Sequence, residues 1–280
     1  MGCDFQGIFA LPQENRVLGV TMATILADNV GLDFPIYGMQ RSLRRALVQS
    51  ATGGFINKKD LQHRHVTVTA LTGVSFQLSD GDRLALVGHN GAGKSSLLKV
   101  LAGIYYPTSG EVWVDGKITS LFELTLGIDS EDTGYETIVT AGMLHGMTQS
   151  EIESKIPEIE QFSELGEYLS LPVRTYSMGM TTRLGFSLAT VFEPEILLLD
   201  EGIGAGDARF TDRASARLKE LAKKSAILVL ASHTDDLIRS ICNKAALMNS
   251  GRLVKIGPVD EILSEYHTEK ARSELQATAG

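Results

Sequence analysis

Gly88-His89-Asn90-Gly91-Ala92-Gly93-Lys94-Ser95 decides how this chain is read. The stretch fits G-x-x-x-x-G-K-[ST], and its flanks have the order that pattern requires. Before it, Asp82 to Val87 is a short apolar run of strand length; after it, Ser96-Leu97-Leu98-Lys99-Val100-Leu101 continues as the start of an apolar-periodic helix. A strand, a glycine-rich turn and a helix start together make a phosphate cradle. The glycines let backbone N–H groups converge, and the helix N-terminus adds a favourable partial charge. The pattern places Gly88, His89, Asn90, Gly91, Ala92, Gly93, Lys94, Ser95 and Ser96 around a nucleotide. Lys94 is set to reach the β- and γ-phosphates, and the Ser95 hydroxyl to ligate Mg²⁺. The sequence therefore predicts binding of a nucleoside triphosphate.

Working outward, the 280-residue chain has room for one large α/β domain with an appended lobe. No stretch approaches the ~18–20 uninterrupted apolar residues of a membrane span. A formal charge of −8 argues against a nucleic-acid partner held by phosphate neutralisation, although Arg41, Arg44 and Arg45 form a local basic patch. The two cysteines, Cys3 and Cys242, lack metal-ligand spacing and fit a reducing cytoplasm. Residues 1–21 read as a leader without assigned role. Gln6 stands where a myristoylation pattern needs Ser or Thr, and no basic segment precedes an apolar core.

Met22 to Phe34 suits a first strand, which Pro35 is expected to break. Residues 38–65 form a basic, polar insertion in which Arg41 to Gln49 reads as helical. Asn57-Lys58-Lys59-Asp60 matches the guanine-reading N-K-x-D pattern, but it precedes the phosphate loop in a polar segment and reads as a solvated charge run. Val66 to Leu78 supplies alternating strand residues, and Pro107 to Gly116 reads as turn, strand, turn. From about Ile128 to Ala189 the character is helical and acidic, a separate lobe. Glu195 to Leu199 and Ala226 to Ala231 suit buried parallel strands. Ala246 to Met248 and Leu253 to Ile256 bracket the turn Asn249-Ser250-Gly251, and a polar amphipathic helix follows from Asp260.

A second constellation ends the first of those apolar runs. Ile196-Leu197-Leu198-Leu199-Asp200-Glu201 brings two carboxylates to a strand end. There Asp200 is suited to hold Mg²⁺ through water, and Glu201 to take the proton of an attacking water. Upstream, Tyr176-Ser177-Met178-Gly179-Met180 precedes a helix expected over Thr181 to Phe192. With this pentapeptide the chain resembles the ATP-binding subunit of an ABC transporter, whose signature is usually L-S-G-G-Q. Ser177 and Gly179 keep the serine and second glycine.

That resemblance implies an α/β fold: a P-loop NTPase (RecA-like) core with an antiparallel β subdomain and an inserted α-helical subdomain. The resemblance runs from about Met22 to about Tyr266; the nucleotide-binding domain is expected over 22–260, with the helical subdomain at 128–189 and a C-terminal helix or tail at 261–280. It implies ATP hydrolysis, with ATP and Mg²⁺ as the bound species. Ser232-His233 matches the switch histidine, so His233 is expected to contact the γ-phosphate. Gly204-Ala205-Gly206-Asp207 occupies the place of the D-loop, with Asp207 matching. Phe34 is the first candidate for the ring that stacks on adenine and Tyr37 the second. The family's loop glutamine is absent near Glu123-Leu124. Instead, Leu121-Phe122-Glu123-Leu124 with Leu126-Gly127 resembles the branch that exports polysaccharides such as O-antigen or teichoic acid, and Glu123 is the candidate to touch Mg²⁺ or its water.

Further implications concern partners. Two copies are expected to pair head to tail, each ATP held between Lys94 of one and Ser177 of the other. A separate integral-membrane permease, in two copies, is expected to handle the polysaccharide, which places this chain peripherally on the cytoplasmic face of the inner membrane. The chain ends too soon to hold the C-terminal carbohydrate-binding domain that some members of the branch carry. The alternatives are an ABC subunit for another substrate and a soluble, non-transport ABC ATPase.

Overall fold

The structure is a computed structural model and describes residues 22–36, 55–56, 66–122, 128–191, 194–200 and 208–278. The leader 1–21, Tyr37, nearly all of the 38–65 stretch, Glu123, Glu201 and Asp207 lie outside the described residues. In chain order the strands and helices are β1 (Thr24–Ile36), β2 (Phe55–Ile56), β3 (Val66–Ser79), β4 (Arg83–Val87), α1 (Lys94–Leu101), β5 (Ser109–Asp115), β6 (Ile118–Ser120), α2 (Gly134–Leu144), α3 (Gln149–Ser163), α4 (Met178–Val191), β7 (Ile196–Asp200), α5 (Ala208–Lys224), β8 (Ile227–Ala231), α6 (Asp235–Ile241), β9 (Lys244–Asn249), β10 (Arg252–Pro258) and α7 (Val259–Thr278). They group into two compact units, one running to Ile118 and resuming at Ala226, the other Thr119–Ser225. The α/β class read from the sequence is the class observed.

In the first unit an antiparallel sheet has the order β2-β3-β1-β5. Along β1 the buried apolar side chains are Ile25 and Ala27, continuing the alternation from Ala23 just before it, then Val30 and Leu32, so the alternation changes parity. A bulge causes this: the β1–β3 register shifts between Ala27 and Val30, and Asn29 there has φ 50. The inserted residue keeps apolar side chains on one face across the bend. Gly73, with φ 61, lies on the partner strand opposite that region. Pro35 does not end β1 as the sequence predicts; the strand continues to Ile36, with Pro35 opposite Thr67. Pairing with β5 stops at Gly31. Beyond that point β1 is an edge strand among the described residues, where a proline's missing N–H is tolerated.

The same unit contains the strands β10-β9-β4-β8, in that order. β4 is parallel to both neighbours, with Leu86 opposite Ala231 on β8 and Val87 opposite Leu247 on β9. β8 is buried throughout and β4 at every residue after Arg83, which explains their unbroken apolar sequences. α7 packs through Val259, Ile262 and Leu263, and its Asp260 accepts from Arg239 Nε at 2.9 Å.

In the second unit, helices α2, α3 and α4 close around Ile138, Ile152, Ile159, Leu184 and Leu188. Two capping boxes start α2 and α3: Thr133 with Glu136, and Thr148 with Glu151. Phe162, Phe186 and Phe210 meet with centroids 5.6–5.8 Å apart, joining α3, α4 and α5. Arg213 lies 5.6 Å over the Phe162 ring and bonds Glu164 at 2.7 Å, so the cations that cover the aromatic cluster also tie it to the α3 terminus. β6 and β7 neighbour each other, with Leu121 N–H donating to Leu198 O at 3.0 Å.

Candidate nucleotide site

The phosphate loop leaves the buried end of β4 and turns into α1. Because β4, β8 and β9 are parallel and in register, three segments emerge together at their carboxyl edge. These are the loop 88–93, the turn containing His233, and the turn Asn249-Ser250-Gly251. An open α/β sheet binds its ligands at such an edge.

Lys94 is 8% exposed, and its ammonium donates to Gly88 O at 2.6 Å and to His89 O at 3.1 Å. Its charge is thereby fixed inside the loop. Gly93 caps α1 at φ 101, and no side chain bonds the first turn there. The helix N–H groups keep their donors directed at the loop, which is how a helix start favours an anion. Ser95 is exposed on that first turn and Ser96 is half-buried behind it.

Close packing explains why the loop needs its glycines. A Cβ on Gly88 would lie 2.3 Å from Met248 O, and one on Gly93 would meet Ala70 O at 3.0 Å. The backbone of the β9–β10 turn presses against the loop from behind. Gly251 N–H donates to Ala92 O at 2.9 Å, and Thr72 N–H donates to Gly251 O at 2.8 Å. His89 Nε2 lies 3.2 Å from Asn249 Oδ1, while its Nδ1 lies 2.7 Å from Asn90 O. Sequence reasoning recognised this turn but gave it no role. It buttresses the loop through contacts far apart in the chain, and no local pattern signals that.

Gly251 combines a close approach with a left-handed backbone. Its φ is 75, and a Cβ would stand 2.5 Å from the backbone oxygen of Ala70. Gly251→Ala is expected to cost at least the ~1–2 kcal/mol of forcing an L-residue into that conformation. The expected result is a melting temperature lower by about 2–4 °C per kcal/mol, together with weaker ATP binding. Thermal melts with and without nucleotide check it; an unchanged melt would remove the buttressing role.

His233 is exposed just beyond β8, and Thr234 N–H donates to the Oγ of buried Ser232 at 3.0 Å. That bond closes the turn that carries His233 at the end of β8. Phe34 is half-buried on β1, its ring edge-to-face with Tyr105 at 5.2 Å and 77°.

The remaining predicted residues belong to the second unit. Asp200 ends β7, half-buried after four buried residues. Ser177 sits at the start of α4, which begins at Met178 rather than the Thr181 expected from sequence. Its Oγ accepts from Met180 N–H at 3.3 Å, and its carbonyl accepts from Thr181 N–H at 3.0 Å. Gly179 has open space: a Cβ there would meet nothing nearer than Ser177 Oγ at 3.9 Å. Upstream, the Tyr176 hydroxyl donates to Tyr168 O at 2.6 Å, and burial raises its pKa above the ordinary phenol value.

Comparison with known proteins agrees with this geometry. Residues 71–204 match the family model described as ABC transporter. An O-antigen export system ATP-binding protein of Yersinia enterocolitica is 47% identical over 231 residues, covering 82% of this chain and 96% of that protein. An O-antigen export ATP-binding protein of Myxococcus xanthus is 37% identical over 76% of this chain, and a teichoic acids export ATP-binding protein of Listeria monocytogenes is 34% identical over 70%. The matched region spans 48% and 58% of the length of those two proteins. A solved ATP-binding subunit of an ABC transporter superposes with a TM-score of 0.64 at 22% identity, covering 90% of this chain and 99% of that one. A dimeric ATP-binding cassette in a post-hydrolysis state with ADP and phosphate gives 0.61 at 18% identity, over 84% and 98% of the two chains. Fold and phosphate loop together define an ATPase of the ATP-binding-cassette class. This chain belongs to the ABC transporter family, among its ATP-binding proteins.

Proposed function

We propose that this chain is the ATP-hydrolysing subunit of an ABC exporter that moves a lipid-linked polysaccharide of the O-antigen type through a separate integral-membrane permease. One observation carries the substrate class: the similarity to the Yersinia enterocolitica O-antigen export protein extends over 96% of that protein's length. Among the described residues no helix is long and apolar enough to cross a membrane, and in this reading a separate partner supplies the path. The subunit then sits peripherally on the cytoplasmic face of the inner membrane, against two permease copies.

Two copies of the chain pair head to tail in this reading. Lys94 and the α1 N-terminus of one bind the β- and γ-phosphates, and Ser177 with the backbone around Gly179 closes from the other. Phe34, or Tyr37 three residues further along the chain, stacks on adenine, and Asp207 contributes to nucleotide binding. His233 contacts the γ-phosphate. Glu201 takes the proton of the attacking water, and Lys94 and His233 hold the charge that spreads over the transferring phosphoryl oxygens.

The donor set fits Mg²⁺. The exposed Ser95 hydroxyl in the first unit and the Asp200 carboxylate at its strand end in the second are each hard oxygen donors, the chemistry taken by a cation that keeps waters and binds phosphate oxygens. Glu123 is a third candidate. When bound, the ion supplies charge neutralisation at the phosphates.

Replacing Lys94 by Met in the source cell tests the transport role. Surface polysaccharide is expected to disappear while lipid-linked material accumulates inside. An unchanged surface would overturn the assigned substrate class.

A further inference from the structure

We infer that Tyr105 is a positioning residue for base recognition: it holds the Phe34 ring in place and links it to the helix that binds the phosphates. The inference rests on the reading of Phe34 as the adenine platform. Phe34 lies where β1 has lost its β5 partner, since that pairing ends at Gly31. From there to its end, among the described residues, the strand carrying the platform is paired on one side, with β3.

The segment after α1 supplies the missing support. Thr108 donates to Gly31 O twice, from its N–H at 2.8 Å and its hydroxyl at 3.2 Å. At the other end of the segment, the N–H groups of Ile104 and Tyr105 both donate to Lys99 O, at 2.9 and 3.2 Å. Lys99 is in the last turn of α1, the helix that begins with Lys94. Its ammonium also lies 5.6 Å from the Tyr105 ring centroid. Tyr105 is therefore fixed at its backbone to the phosphate helix, and its ring meets Phe34 edge-to-face at 5.2 Å. An edge-to-face pair fixes a ring's tilt while leaving it a face to offer, which a base needs for stacking. Tyr106, the next residue, is exposed and has no part in this arrangement.

The test compares affinity for ATP with affinity for inorganic tripolyphosphate, which engages the phosphate loop without a base. Tyr105→Leu is expected to lower the preference for ATP by about two- to tenfold, the worth of an aromatic pair. Tripolyphosphate binding should be unchanged, and Tyr105→Phe should retain the native preference. In a Phe34→Leu background, Tyr105→Leu should have no further effect. Equal losses for both ligands, or additive effects of the two substitutions, would overturn the positioning role. If Phe34→Leu lowers the preference and Tyr105→Leu does not, the positioning role alone fails. If Phe34→Leu leaves the preference intact, the platform reading fails and takes the role of Tyr105 with it. Should Tyr105→Leu not fold, Tyr105→Met gives the same comparison with a flexible side chain.

Discussion

Glu201→Gln is expected to bind ATP normally, to lose turnover by roughly 10²–10⁴-fold, and to accumulate as an ATP-bound dimer. Each part follows from a separate feature of the chain. In the proposed reading, binding is the task of the phosphate loop, where Lys94 and the uncapped start of α1 present positive charge. Glutamine has the shape of glutamate, so exchanging one for the other beyond β7 leaves that loop alone. Glutamine has no carboxylate to accept a proton, and water attacking a phosphoryl group must lose one. If ATP holds two copies together and hydrolysis releases them, blocking hydrolysis traps the pair. Phosphate release and size-exclusion chromatography with ATP read the two consequences separately. Hydrolysis at the native rate would remove Glu201 from the role of base, and slow hydrolysis without dimer accumulation would argue against ATP as the interfacial link.

How much of this was legible in the sequence depended on how local each constraint is. The phosphate loop is a single local device: glycines for close approach, a lysine, a hydroxyl and a helix start. It was readable from eight adjacent residues. Parallel strands such as β4 and β8 were readable because burial on both faces forces unbroken apolar runs. The helical lobe was recognisable by its periodicity and acidic surface, although α4 starts earlier than the pattern suggested because Ser177 itself caps it. What escaped was non-local. Pro35 reads as a strand breaker until it is known that β1 is unpaired by β5 at that point. The parity change in β1 belongs to a bulge whose partner residues lie more than forty positions away, as the Asn29 N–H bond to Ser75 Oγ at 2.8 Å illustrates. The supports contributed by Gly251 and Tyr105 depend on which segments the sheet brings together, and a linear pattern carries no record of that.

Ser177→Arg is expected to leave nucleotide affinity of the isolated chain unchanged while lowering hydrolysis by at least about 10²-fold, the cost of losing one well-placed donor to a transition-state oxyanion. Ser177 is exposed at the head of α4, where a hydroxyl and a helix N-terminus favour an anion. Gly179 follows with room for a side chain, so packing within the chain does not demand a glycine there. In the proposed pairing, a missing side chain at this helix start allows close approach by the nucleotide carried on a second copy. Arginine would obstruct that approach and place a cation at the unfavourable end of the helix dipole. The pairing makes a further demand. Mixing Ser177→Arg chains with Lys94→Met chains should restore measurable hydrolysis, because one composite site then combines the intact Lys94 of the first with the intact Ser177 of the second. Loss of nucleotide binding by the isolated Ser177→Arg chain would place Ser177 in the same-chain site and dissolve the head-to-tail arrangement.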